Sequence, residues 1–530
     1  MTTTNVGSGR LAIAAAVALA TVLAMAPRAW ALSEAQARGK QIYLQGTSWG
    51  GGDITALVGG EAVALPASAV PCASCHGPDG LGRPEGGVLP PDIRWSELTK
   101  AYDHVHADGR RHPPFDEAGL ARLVRTGLDP ANNRLDDAMP KYALSDGDMA
   151  DLLAYLKHLG QDRDPGIEGD RIQVATLLPL DGANGALGRA MAQVMHAHFQ
   201  EANERGGIFG RRLELLVIPH AESPEATLEN LSMAFEQEGI FALVGAYTVG
   251  LDEEVLAALR ARGAPLVGPF TLNPGDEIAD ASVFYLYPGF MEQARVLAEG
   301  AIAEGAARKA PILVAGPEGE RVERLVAAVR DQVAGRGAPA PVTLRYSASG
   351  LEAGKLAERV RENASEAVLF FGDQAELKAL LHALDARKQR PRVYLLSAFG
   401  TRALFEAPPA FHHRIFLAYP TLASDVTPAG RAAYGRLAEV HALPPDHLQG
   451  QIAAYAAARL LEEGLRRAGR DLSREVLVEG LEALYAYETG LTPPLSYGPN
   501  RRIGARGAHL VVVDLLKRTY DPVGGWQELH

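Results

Sequence analysis

PCASCHGPDG, residues 71–80, holds both cysteines of a 530-residue chain, three positions apart and with a histidine directly behind the second. A chain of this length is expected to form two or three domains, each large enough to bury its own core without covalent staples. The cysteines are therefore not needed for stability. A bridge between Cys72 and Cys75 would close a tiny loop and remove little entropy from the unfolded chain. A redox CxxC of the thioredoxin kind sits between a strand and the start of a helix, and neither PASAV before nor HGPDG after has that character.

The remaining reading employs His76 as well. In CxxCH the two thiols add to the vinyl groups of a haem, and the short turn carries the following imidazole under the iron. Cys72 and Cys75 are thus expected to attach one haem c covalently, with His76 as an axial ligand. An electron-carrying iron takes a second axial ligand, and a neutral thioether raises its potential by favouring the reduced ion. Between Leu32 and the end of this region only Met139 and Met149 offer one. Met149 lies on the stripe Met149, Leu152, Leu153, Leu156, Leu159, the apolar face of a helix opened by SDGD with Ser145 as N-cap and Asp148 as its partner. Met139, in DDAMPKY beside Pro140, lies outside regular helix and is the expected sixth ligand. The alternatives are His104, His106, His112 and His158, which read otherwise as solvated surface groups.

Ahead of this region, a polar lead ending in Arg10 is followed by LAIAAAVALATVLAMA (residues 11–26) and PRAWA. The apolar run is short for a membrane span and suits the core of a signal peptide, with Ala29 and Ala31 in the small-x-small positions. Residues 1–31 are expected to be removed after Ala31, leaving an exported, soluble periplasmic chain. The formal charge of -12 and the lack of a basic stripe argue against a nucleic-acid partner.

Residues 33–160 resemble a monohaem cytochrome c of the class I type. The resemblance rests on SEAQARGKQIYLQG as first helix, CASCHG as attachment site, AMPKY as methionine loop and DMADLLAYLKHLG as last helix. It implies an all-α domain over 32–163 in which the first and last helices cross, bringing Gly39 and Tyr43 near Tyr155. It also implies that a proline carbonyl, from Pro90 or Pro91, orients the ligating imidazole. The segment 46–70, GTSWGGGDITALVGGEAVALPASAV, is longer than the family's usual connection. It is expected either to cover the haem edge or dock a partner, or to be a tolerated surface insertion.

After a Pro- and Gly-containing linker over 164–170, apolar runs of strand length alternate with helical stretches: RIQVATLLPL, RRLELLVIPH, IFALVGAYT, APLVGPF, SVFYLYPG, APILVAGPEG, APVTLRYSA, EAVLFFGD and PRVYLLSAFG. This is the pattern of parallel βαβ units, with too many strands for one sheet, so two lobes are expected. Residues 171–530 resemble a type I periplasmic solute-binding protein of the branched-chain amino acid (leucine-binding) family. The most specific stretch is EANERGGIFGRRLEL, with Asn203, Gly206, Gly207, Ile208, Gly210 and Leu213, supported by LPLDG, LVGAYT, PLVGPFTLNP, QIAAYAAARLLEEGLRRAG and YGPNRRIGARG. The resemblance implies a two-lobed α/β domain: lobe I over about 171–287 with part of 416–490, and lobe II over about 288–415 with the C-terminal strands. It implies that Thr248 and Thr271 donate to a solute carboxylate and that Ala246 and Phe270 line the pocket wall; the acid that the family uses for the α-ammonium is not evident in SAFGTRALFE, so Asp373, after EAVLFFGD, is the substitute candidate and a standard amino acid is not the expected solute. The tyrosines that commonly cover the solute are replaced by Leu187 and by GPEGE.

No Ser/His/Asp set, HExxH, P-loop or GxGxxG following a strand is present, so an enzyme is not expected. Two functions remain. One is a periplasmic electron carrier serving a dehydrogenase, with the binding-protein half as docking scaffold or sensor. The other is a receptor that delivers an amino acid or a small carboxylate or alcohol to an ABC permease, with redox-modulated binding.

Overall fold

The computed structural model describes residues 32–529 except 51, 61, 83–87, 107, 108, 162, 275–281, 308, 309, 348 and 349. The expected signal peptide lies outside the described residues. The chain divides into two compact units between Pro165 and Gly166. The expected linker is thus divided: Asp164 pairs with Lys40 of the first unit, whereas Ile167 is buried and bridged to Ile172 of the second.

In the first unit, helix α1 (Glu34–Gln45) opens with a capping box between Ser33 and Gln36. Short helices α2 (Cys72–His76) and α3 (Trp95–Leu98) and the amphipathic α4 (Glu117–Thr126) follow, and α5 (Asp146–Leu156) is capped by Ser145. Helices α1 and α5 cross in close contact because Gly39 has no side chain. A Cβ there would lie 2.0 Å from the Asp151 carbonyl oxygen and 2.8 Å from Tyr155 Cβ. Tyr43 and Tyr155 pack with ring centroids 5.6 Å apart, and Arg38 grips Asp151 with two hydrogen bonds of 2.7 and 2.9 Å. Met149 is buried with Leu152, Leu153, Leu156 and Leu159, as its helical stripe requires.

This helical core carries strands that the all-α expectation lacked. β1 (Thr55–Val58) and β2 (Val63–Pro66) form a hairpin, β3 (His104–Val105) and β4 (Arg111–His112) a second, and β5 (Lys141–Ala143) pairs antiparallel with β1. The 46–70 insertion is therefore built into the domain: Ile54 and Ala56 are buried, and β1 holds the strand that directly follows Met139 and Pro140.

The second unit contains two sheets. Lobe I has five parallel strands, β6 (Arg171–Pro179), β7 (Arg212–His220), β8 (Leu243–Val244), β9 (Leu266–Val267) and β10 (Val283–Phe284), in the order β10-β9-β8-β6-β7. Helices α6 (Gly185–Glu204), α7 (Pro224–Glu238) and α8 (Asp252–Arg260) connect them. Lobe II has seven strands, β11 (Leu313–Pro317), β12 (Val342–Tyr346), β13 (Ala367–Phe370), β14 (Arg392–Leu396), β15 (Ile415–Tyr419), β16 (Gly507–Asp514) and β17 (Thr519–Glu528). Their order is β12-β11-β13-β14-β15-β16-β17, with the last two antiparallel. Its helices are α9 (Phe290–Ala303), α10 (Glu320–Gly335), α11 (Ala353–Glu362) and α12 (Gln374–Ala386).

The chain returns to lobe I through α13 (Pro428–Val440), α14 (Leu448–Ala468) and α15 (Arg474–Glu482), whose apolar faces join the lobe I core. β15 belongs to lobe II, so the part of 416–490 that joins lobe I follows residue 419. The glycine-rich motif after α6 does a local job. The Asn203 amide pairs with the Leu213 backbone in both directions, at 2.7 and 2.9 Å, and Gly207 (φ 64) lets the chain turn where a Cβ would strike the Arg211 carbonyl.

Candidate functional site

Cys72, Cys75 and His76 lie on one short helix, and neither cysteine is in a disulfide. Burial pushes the Cys72 thiol up to about 12, with the neighbouring Cys75 adding to it. His76 is buried, and its Nδ1 faces the Pro91 carbonyl at 3.1 Å. Of the two candidate prolines, Pro91 makes this contact. A carbonyl can only accept, so the proton sits on Nδ1 and the lone pair on Nε2, the tautomer a metal ligand needs. Desolvation holds the imidazole pKa below its ordinary value, with the Pro91 carbonyl opposing in part. The Tyr43 hydroxyl, from α1, donates to the Gly77 carbonyl at 2.6 Å and ties the α1/α5 crossing to the end of the cysteine helix.

Met139 sits in a loop, half-buried against the same apolar core that Cys72 and Ala73 contact. Tyr142, three residues on, donates to the Val70 carbonyl at 2.6 Å, just ahead of the cysteine helix. It went unnoticed in the sequence, although its place in AMPKY beside Met139 was a usable signal. The residues present fit a covalently held haem: two free thiols and an oriented neutral imidazole on one turn, with a thioether on the same core.

The histidines offered as alternative ligands are not all solvated. His112 is 3 % exposed and its Nε2 lies 2.8 Å from that of His106, while His104 stacks on its ring.

In the second unit, the residues expected to meet a solute gather at the carboxyl ends of β8 and β9. Tyr247 and Phe270 form a parallel bridge, and their rings stack at 5.7 Å and 12°. Tyr247 also receives a hydrogen bond from Asn184 Nδ2 at 3.2 Å. Ala246 is fully buried in the lobe I core. The Thr248 hydroxyl donates to Asp252 at 2.5 Å, and Thr271 also hydrogen-bonds that carboxylate. Burial raises the Asp252 pKa, and these two hydroxyls oppose the shift only in part. In lobe II, Asp373 is exposed and caps α12, its carboxylate accepting from the Glu376 backbone at 2.8 Å. Leu187 packs towards α14, where a Cβ on Gly450 would lie 2.2 Å from its Cδ1. Tyr247 and Asp252 were missed by sequence reasoning, though Asp252 stands one helical turn beyond Thr248.

Residues 171–517 match the family described as periplasmic binding protein, and residues 65–160 match that described as cytochrome c. The chain belongs to the periplasmic binding protein family, with a cytochrome c domain ahead of the binding domain. Among solved structures, it is similar to a fatty acid ABC transporter substrate-binding protein from Thermomonospora curvata. The identity is 16%, covering 69% of this chain and 95% of that one, with a TM-score of 0.52. A branched chain amino acid ABC transporter protein from Thermus thermophilus with bound valine aligns at 15% identity over 68% of this chain and 97% of that one, TM-score 0.51. An ABC transporter substrate-binding protein from Sphaerobacter thermophilus aligns at 18% identity over 68% and 98%, TM-score 0.53. At these identities the likeness shows the fold of the binding domain. No curated protein matches the chain. Neither matched family is an enzyme family, and no helix among the described residues is long and apolar enough to cross a membrane.

Proposed function

We propose that this protein is a periplasmic electron carrier, exported by residues 1–31 and serving a periplasmic dehydrogenase, with its binding-protein half as docking scaffold or solute sensor. Cys72 and Cys75 would hold one haem c through thioether bonds, His76 Nε2 would ligate its iron, and Met139 would be the second axial ligand. When bound, the haem supplies one-electron transfer between ferrous and ferric iron. The chain's residues fix the tautomer and orientation of His76 through Pro91, anchor the cysteine helix to the α1/α5 crossing through Tyr43, and hold the methionine segment through β1. The observation that carries the reading is the His76 Nδ1 contact with the Pro91 carbonyl, because an imidazole preset to offer Nε2 has no structural need in a bare helix turn. Stopped-flow mixing with a reduced quinoprotein dehydrogenase tests it. Reduction within the dehydrogenase's turnover time supports the role, and a haem that stays oxidised rejects it.

A second reading, a receptor feeding an ABC permease, draws support from the binding-protein fold. The lobe I lip shapes what such a solute would be. With Thr248 and Thr271 both engaged by Asp252, this edge presents an acid beside stacked aromatic rings and is a poor host for a carboxylate. A thermal-shift screen of amino acids, short carboxylates and alcohols, run on oxidised and reduced protein, discriminates the two. A ligand that stabilises only one iron state would couple the two halves, since linkage is reciprocal.

A further inference from the structure

We infer that His106 and His112, at the ends of the β3–β4 hairpin of the cytochrome unit, bind one divalent transition-metal ion of the zinc, copper or nickel class. Their Nε2 atoms face each other at 2.8 Å. His112 is 3 % exposed, and its Nδ1 lies 2.8 Å from the Pro113 carbonyl, which fixes its proton on Nδ1 and its lone pair on Nε2. That is the arrangement in which outer carbonyls orient metal-ligating histidines. In the metal-free chain, His106 must then donate its own Nε2 proton across the gap. An ion replaces this single proton once His106 shifts to its other tautomer. Two imidazoles on a tetrahedral zinc ion, at about 2.0–2.1 Å from the metal, stand about 3.3 Å apart, so the pair needs to open by only about half an ångström. His104 stacks on His112 with centroids 5.1 Å apart at 14°, and its Nε2 is buried with no hydrogen-bond partner among the described residues. Two guanidiniums stand next to the site in sequence: Arg110 is paired with Asp129 at 3.1 Å, which offsets its repulsion of a cation, and Arg111, directly before His112, is exposed to solvent, which screens its charge. Imidazole-rich donor sets suit zinc, copper and nickel over the oxygen-seeking ions.

Among the described residues, the one group of three metal-competent side chains whose ligand atoms all lie within 4.8 Å of one another is His412, His413 and Asp514. It is less suited, because Lys517 Nζ holds the Asp514 carboxylate at 3.2 Å and His412 Nδ1 accepts from the Leu515 backbone at 3.3 Å.

The test is a calorimetric titration of the tag-free mature protein, stripped with chelator, with zinc chloride alone, repeated with copper and nickel salts. The expected result is one zinc ion per chain. His106→Ala should weaken binding at least about 100-fold, and His412→Ala with His413→Ala should leave it unchanged. Melting temperatures of the metal-free variants, together with a His106→Gln variant, check that the hairpin still folds. Zinc should raise the melting temperature of the parent and not of either His106 variant. No zinc binding by the parent, binding unchanged in both His106 variants, or binding lost only in the His412/His413 variant would overturn the assignment.

Discussion

Replacing Gly39 with alanine should unfold the cytochrome unit before the binding domain. The added Cβ would sit 2.0 Å from the Asp151 carbonyl oxygen, 2.6 Å from its carbon and 2.8 Å from Tyr155 Cβ. A carbon and an oxygen need more than 3 Å, and two of these three neighbours are backbone atoms of α5 that no rotamer change can move. The helices would have to part by more than an ångström along a contact that includes the Tyr43–Tyr155 stack and the Arg38–Asp151 fork. Overpacking against yielding side chains costs about 1–3 kcal/mol. Against fixed backbone the expectation is the upper end, about 3 kcal/mol, less about 1 kcal/mol regained from the helix propensity of alanine, for a net of about 2 kcal/mol. In a domain of this size that is a fall of about 7 °C in its transition. Differential scanning calorimetry of the full chain, with Gly52→Ala as control because a Cβ there meets nothing within 4 Å, measures it. A first transition within about 1 °C of the parent would refute the claim that α1 and α5 touch at Gly39.

Tyr43→Phe removes the donor to the buried Gly77 carbonyl and should cost about 1–2 kcal/mol, seen as a lower denaturation midpoint of the same unit. Met139→Ala should retain covalent haem while lowering its reduction potential, checked by spectroelectrochemistry; an unchanged potential would exclude Met139 as ligand. In lobe I, burial pushes the Glu462 carboxyl up, but His198, Arg466 and Arg205 outweigh it and hold it at about 2 against an ordinary 4.5. A depressed acid contributes stability that is complete above about 4.5 and lost as pH falls towards 2. That gap corresponds to about 3 kcal/mol undiscounted and about 2 kcal/mol after solvent screening. Glu462→Gln should therefore flatten the fall in melting temperature between pH 4.5 and 2.

Local signals made much of this legible in the sequence. The Ser145–Asp148 cap and the Met149–Leu159 stripe fixed the last helix of the cytochrome unit, and the strand count forced two sheets in the binding domain. The β1–β2–β5 sheet was hidden because its strands are short, are set among glycines, and find a partner more than 80 residues away at Lys141–Ala143. The engagement of Thr248 depended on an acid one turn ahead in GAYTVGLDE, a spacing that was there to be read. The His106–His112 pair depends on a hairpin closing around residues 104–112, and a charged, histidine-rich loop gives no periodicity from which to infer it.

The central claim is that Cys72 and Cys75 carry a haem gripped by His76. Intact-mass analysis with an absorption spectrum, on the mature chain from a host with working cytochrome maturation, tests it most directly. The account predicts a red protein heavier than its polypeptide by one haem, and loss of both the colour and the added mass in a Cys72→Ala, Cys75→Ala variant. A colourless parent with the bare polypeptide mass would contradict it.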